Sequence, residues 1–187
     1  MIERVYNALR GIQRIYLKYP AIGEIQKYGE RVFAYEFYHQ LRRNFNDLQM
    51  DITGEPIKGA GLLPDMEQTI IPDFVIHNYA TNDHNEIAIE IKVTPKLNAK
   101  QIRDDLQKLA DMINGPLGYN HGIFFAGNCN VESKIENSII YYDAIIQILE
   151  ENPNIIIWNT LPFEEGTNMR DYISEDEIIT ISRNNFE

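Results

Sequence analysis

Three charged residues have the types and spacing for phosphoryl chemistry: Asp73, inside the apolar run from Ile70 to Ile76, and the pair Glu90 and Lys92. A charge within an apolar strand is costly unless it is paired. Between Glu86 and Thr94, Ile87, Ile89, Ile91 and Val93 alternate with Glu86, Ala88, Glu90, Lys92 and Thr94. This period of two predicts a half-buried strand with Glu90 and Lys92 on its polar face. If Asn78 to Asn85 turns the chain so that His77 pairs with Glu86, the paired numbers sum to 163, and Asp73 falls opposite Glu90. Opposed side chains have Cβ atoms roughly 4.5–5.5 Å apart, where like charges repel unless something neutralises them. A divalent cation does so, and an Asp/Glu pair suits Mg²⁺ (or Mn²⁺), which takes few carboxylates and accepts phosphate oxygens. Lys92 then reaches the same phosphate, to stabilise its charge or orient an attacking water. Taken singly, Glu90 and Lys92 read as polar residues of a solvated face and Asp73 as a turn residue after Pro72. The combination points to a site.

Several elements must position this trio. Val5, Leu9, Ile12, Tyr16 and Tyr19 predict an amphipathic helix over 2–19, with Arg10, Arg14 and Lys18 as a basic, solvated stripe. A second helix is expected over 24–45, with Glu30, Phe33, Ala34, Phe37, Leu41 and Phe45 along one side. A short strand near 47–52 leads into turns at Thr53 to Pro56 and Lys58 to Gly61. Strands over 69–77 and 86–94 form the hairpin. A helix over 99–114 follows, its stop at Gly115 and Pro116. A buried strand at 121–126, a helix at 132–150, a strand at 154–159 and a short strand at 177–182 complete the order. That order predicts an α/β fold, a mixed central β-sheet flanked by helices.

Length and composition restrict the setting. With 187 residues and 44% hydrophobic content, one globular domain over 1–187 is expected. Its core should run over about 24–160, with the amino-terminal helix before it and an acidic carboxy-terminal extension after it. The amino terminus has no signal-peptide pattern, no apolar run spans a bilayer, and a single cysteine, Cys129, rules out an internal disulfide. A soluble, cytoplasmic protein with no membrane partner is the expectation. The formal charge of −11 opposes general phosphate binding, yet it is unevenly spread. Residues 1–60 carry nine basic and seven acidic side chains, whereas residues 121–187 carry three and twelve. A basic front and an acidic back can still orient a polyanion.

Pro72-Asp73 followed by Glu90-Ile91-Lys92, on a hairpin between two helices, resembles the signature of the PD-(D/E)xK nuclease superfamily, the restriction-endonuclease-like fold. The resemblance covers roughly residues 24–126. Gly29-Glu30-Arg31, Pro72 to His77 and Asp105-Leu106-Gln107-Lys108-Leu109 look like a group of small prokaryotic members. The resemblance implies that Asp73 and Glu90 bind metal, that the Ile91 carbonyl is a further ligand and that Lys92 is catalytic. An acid from the preceding helix often completes such sites. Glu30 and Glu36 compete for the place, and the stripe 30, 34, 37, 41 favours Glu30, whose other reading is a first-turn helix charge. His77, Lys96, Lys100 and Gln101 are candidate substrate contacts, with Lys108 a further phosphate contact; a lone histidine at a strand end is more often structural. Tyr141, Tyr142 and Trp158 read as core or helix-face aromatics.

The expected function is therefore a Mg²⁺-dependent nuclease acting on nucleic acid, with DNA as the expected form and restriction, repair or defence as the context the family implies. Its rival is a catalytically inactive nucleic-acid or protein-binding module on the same fold. A hydrolase of small phosphate esters is a weaker alternative. A homodimer or a recruiting protein partner would compensate for the absence of a recognisable reader element.

Overall fold

The computed structural model describes residues 1–20, 26–27, 29–46, 50–55, 70–78 and 84–186. Its elements are α1 (Ile2–Arg10), β1 (Tyr19–Pro20), β2 (Gln26–Lys27), α2 (Glu30–Asn44), β3 (Asp51–Gly54), β4 (Phe74–His77) and β5 (Asn85–Val93). They continue with α3 (Ala99–Asn114), β6 (His121–Gly127), α4 (Val131–Glu136), α5 (Tyr142–Glu151), β7 (Ile155–Asn159) and β8 (Ile179–Ile181). The expected turn at Lys58 to Gly61, the start of the strand at Thr69 and most of the polar turn between His77 and Asn85 lie outside the described residues.

Six strands form one open sheet in the order β3-β4-β5-β6-β7-β8. The β5–β6 and β6–β7 pairs are parallel and the others antiparallel. The fold is thus α/β around a mixed sheet, as the order of elements predicts. Ile87, Ile89, Ile91 and Val93 of β5 face a core built with α1 and α2. Ala88 faces a second core formed with α3, α4 and α5. Aromatic packing ties α2 to the sheet, with the Phe33 ring stacked on Phe125 at 5.0 Å between centroids.

The helix expected over 2–19 stops at Arg10, with Gly11 as its C-cap. Beyond it, the backbone bonds go to the carboxy-terminal segment instead of continuing the helix. Arg14 N–H donates to the Asp171 carbonyl, Ile15 N–H to Met169 and Ile173 N–H to Ile12. Arg14 also donates to both carboxylate oxygens of Glu177, at 2.8 and 2.9 Å, and Arg10 lies 3.5 Å from Glu175. The acidic end of the chain therefore takes up Arg14, which neither a solvated face nor a phosphate contact describes, whereas the Arg10 side chain stays 44% exposed. The core likewise extends past the expected 24–160, since Val5, Leu9, Ile173, Ile178 and Ile181 are buried in it.

The second helix begins at Glu30 instead of residue 24, after the short strand β2. The helix expected over 132–150 is two helices. Asn137 caps α4, its side chain donating to the Ser133 carbonyl, and α5 starts at Tyr142. Among the described residues, no helix is long and apolar enough to cross a membrane.

Candidate active site

The β4–β5 ladder places the centre. Phe74 pairs with Ile89, Val75 with Ala88 and Ile76 with Ile87, so the paired numbers sum to 163. His77 departs from this register through a bulge and pairs with Asn85 instead of Glu86. Because β4 begins at Phe74, the ladder ends there, and β5 runs on to Val93 with backbone donors on that side that have no strand partner among the described residues. Two carboxylates take the donors. Asp73 Oδ2 accepts from Ile91 N–H at 2.6 Å, and Glu30 Oε2, from the first residue of α2, accepts from Val93 N–H at 3.4 Å. Glu36 points elsewhere and accepts from Gln40 on its own helix.

On the other side of β5 lies α3, the crossover helix to β6, and its charged residues meet the polar face of the strand. Lys108 Nζ is 2.6 Å from Glu90 Oε1 and donates to the Ile71 carbonyl at 3.1 Å. Lys92 Nζ lies 3.6 Å from Asp105 Oδ2 and donates to the Ile91 carbonyl at 3.2 Å. Glu90 is 1% exposed, and its Oε2 has no hydrogen-bond partner among the described residues. Glu30, Asp73, Glu90, Lys92, Asp105 and Lys108 thus form one electrostatic cluster. Among the described residues four carboxylates face two ammonium groups, so full ionisation of these six leaves two negative charges unbalanced.

The cluster shifts its own proton equilibria. Burial pushes the Glu90 carboxyl up to about 8, with Asp73 adding to the rise and Lys108 opposing it. Glu30 and Asp105 are also raised by burial, against the pull of Lys92. For Lys92, burial favours the neutral amine, but Asp105, Glu30, Asp73 and Glu90 outweigh it and raise the pKa.

No family model, curated protein or solved structure matches the chain.

A cation site can be tested against these atoms. The donor set suits Mg²⁺ or Mn²⁺ in kind: two carboxylates, Asp73 and Glu90, beside the Ile91 carbonyl, with an unpartnered buried oxygen on Glu90. Among the described residues, no group of three or more His, Cys, Asp or Glu side chains converges closely enough to hold a metal ion. Any cation here therefore keeps water or substrate oxygens among its ligands, as Mg²⁺ commonly does.

The other candidate contacts lie apart from this centre. His77 is buried at the far end of β4, its Nε2 3.2 Å from Thr53 Oγ1, which accords with a structural role. Gln101 closes the capping box of α3, accepting from Asn98 N–H at 3.1 Å while Asn98 accepts from Gln101 N–H at 3.0 Å. Lys100 pairs with Asp104 on the exposed face of α3. Lys96 and Lys100 line a separate groove of about 740 Å³ that also receives Lys134, with no Asp or Glu lining it among the described residues.

Asp105 joins the centre without a mark in the sequence motif, and Lys108, expected among the phosphate contacts, pairs with Glu90 instead. The usable signal is that both flank the apolar stripe Ile102, Leu106, Leu109 of the helix that must cross back over β5. Their pairing has a stability consequence. Lys108→Met should cost about 3 kcal/mol or more at pH 9, where the ionised Glu90 loses its partner, and much less at pH 6, where Glu90 is protonated. Urea denaturation at both pH values checks this; an equal cost at the two would show that Lys108 does not act through the Glu90 charge.

Proposed function

We propose that the protein is a Mg²⁺- or Mn²⁺-dependent phosphodiesterase of the restriction-endonuclease-like, PD-(D/E)xK type, hydrolysing nucleic acid, with DNA as the first substrate to test. The observation that carries this reading is the break in the ladder at Asp73. Beyond that break Asp73 accepts from Ile91 N–H and Lys92 donates to the Ile91 carbonyl, with Glu90 within electrostatic reach of Asp73, and this grouping supports the reading. The unpartnered Glu90 oxygen, in a group where the described carboxylates outnumber the ammonium groups, supports a divalent cation over a monovalent one.

In this reading Asp73 and Glu90 hold the cation, which when bound supplies Lewis-acid polarisation and a lowered water pKa. Lys92 places its positive charge where negative charge grows on the phosphoryl oxygens. Asp105 positions the Lys92 ammonium from α3, and Glu30 holds the end of β5 through Val93. Phosphodiester hydrolysis needs a barrier reduction toward the top of ~8–23 kcal/mol, and one electrostatic donor supplies ~3–4, so the parts must act together. Lys96, Lys100 and Lys134, in a groove whose described lining holds no acid, serve as contacts for flanking phosphates.

The second reading, a non-catalytic binding module, is favoured by the formal charge of −11 and by the internal pairing of both cluster lysines. Incubation with single- and double-stranded DNA and RNA separates the two. Cleavage with Mg²⁺ or Mn²⁺ that stops on adding EDTA is the expected result. Intact substrates under every metal condition would leave the binding module standing.

A further inference from the structure

The side of the centre facing α2 is a cleft of about 510 Å³, lined by Glu30, Asp73 and Ile91 together with Arg31, Tyr35, Tyr38 and Phe74. Arg31, Tyr35 and Tyr38 fall at helical spacing along the outer stripe of α2, so one helix face forms that wall. Tyr35 is 69% exposed and Tyr38 37% exposed, although two aromatic rings on a solvated helix face contribute little to a core. The Tyr38 ring stacks nearly parallel on Phe74, at 6.1 Å and 16°. Phe74 in turn follows Asp73 directly and packs edge-on against Phe37 at 5.9 Å. Gly54 permits this arrangement, because a Cβ there would stand 3.2 Å from the Phe74 ring. The aromatic wall is thereby held in a fixed relation to the candidate metal ligand.

We infer that this cleft is a base-stacking subsite, and that the strand entering the centre is unpaired, either single-stranded or locally melted nucleic acid. The inference rests on the nuclease reading of the same site. Among the described residues, three acids, Glu30, Glu55 and Asp73, line the cleft against one cation, Arg31, so ionic attraction of these groups to a polyanion is weak. Affinity must come from the metal and from non-ionic contact. Stacking on an aromatic ring supplies about 1–3 kcal/mol per base and is insensitive to the sign of the surrounding field. A base inside a duplex already has both faces covered, so the tyrosines discriminate by strandedness. The site then selects for bases it can stack, which gives an acidic protein a way to hold nucleic acid without a broad basic surface.

Fluorescence anisotropy of the full chain with labelled oligonucleotides, in Ca²⁺ so that binding is read apart from cleavage, tests this. Single strands are expected to bind tighter than the matching duplex. Tyr35→Ala should weaken single-strand binding about 5- to 150-fold, and Tyr35→Phe should restore it. A strand carrying abasic positions should bind weakly to the wild type and be unaffected by Tyr35→Ala. Tyr38→Ala should act in the same direction, and an unchanged melting temperature of the Tyr35 variant excludes misfolding. Equal affinity for duplex and single strand, or an unaffected Tyr35→Ala, would overturn the subsite. So would preferential capture of an aromatic peptide with no affinity for oligonucleotides. Tyrosine-dependent binding without cleavage in Mg²⁺ would support the subsite while removing the nuclease reading; cleavage indifferent to Tyr35 would do the reverse.

Discussion

Between pH 5 and pH 9 the metal-free protein should lose several kcal/mol of stability through one residue, and Glu90→Gln should remove most of that loss. The Glu90 carboxyl has a pKa of about 8 in the folded chain against an ordinary value of 4.5. Below 4.5 both folded and unfolded chains carry the proton, and the group contributes nothing to the balance. Between 4.5 and 8 the unfolded chain releases it while the native state retains it, so native binds more protons and stability falls as pH rises. Above 8 the full difference is reached, about 5 kcal/mol at 1.36 kcal/mol per pH unit. That is a large share of the ~5–15 kcal/mol that holds a domain together. Glu30 and Asp105, also raised by burial, act with the same sign. Glutamine keeps an oxygen for Lys108 to donate to but cannot ionise, so its denaturation midpoint should be flatter with pH and higher at pH 9. Saturating Mg²⁺ should recover stability at high pH in the wild type, by about 2.7 kcal/mol at a hundredfold excess over Kd, and not in the variant. Parallel pH profiles for the two proteins would mean that Glu90 is not the buried charge described.

Cleavage should fall by about 10²–10³-fold or more on replacing either Asp73 or Lys92 with alanine, the size expected when one electrostatic contact to a transition state is removed. The double variant should be little worse than the weaker single one, because residues acting as a unit do not contribute additively. Asp73→Asn separates two roles of that side chain. Its amide oxygen can still accept from Ile91 N–H, so the edge of β5 stays tied, but the negative charge is lost. It should therefore melt near the wild-type temperature and show no stabilisation by Mg²⁺. Single-turnover assays and thermal melts on the same preparations read both effects. Full activity in either alanine variant would remove that residue from the mechanism.

Much of the architecture follows from local pattern. The isoleucine alternation from Ile87 to Val93 makes β5, and the apolar stripe from Ile102 to Leu109 makes α3, whose bounds match the expected 99–114. The 163 register follows from the same alternation, since a slip by one residue would turn Ile87 and Ile89 to the wrong core. The ladder nevertheless stops at Phe74 and Ile89, short of the expected Asp73–Glu90 pair, and Asp73 accepts from Ile91 N–H instead. Helical phase does set Glu30, and not Glu36, toward the end of β5.

Other features depend on residues far apart in the chain. The first helix stops at Arg10 because segment 169–173 takes the backbone bonds that would have continued it and Glu177 captures Arg14, more than 150 residues away. The substrate contacts expected at Lys100 and Gln101 are engaged locally, by Asp104 and by the Asn98 cap. Tyr35 and Tyr38 gain meaning only when α2 lies beside Asp73. Local sequence by itself determined β5, with Glu90 and Lys92 on one face, and the pairing sum of 163 with β4, because periodicity acts over a few residues. Tertiary structure alone decided that Lys108 and Asp105 complete the cluster and that an aromatic cleft opens onto it. Those groups meet only when the crossover helix and α2 settle on the two faces of the sheet, and burial there turns ordinary carboxylates into perturbed ones.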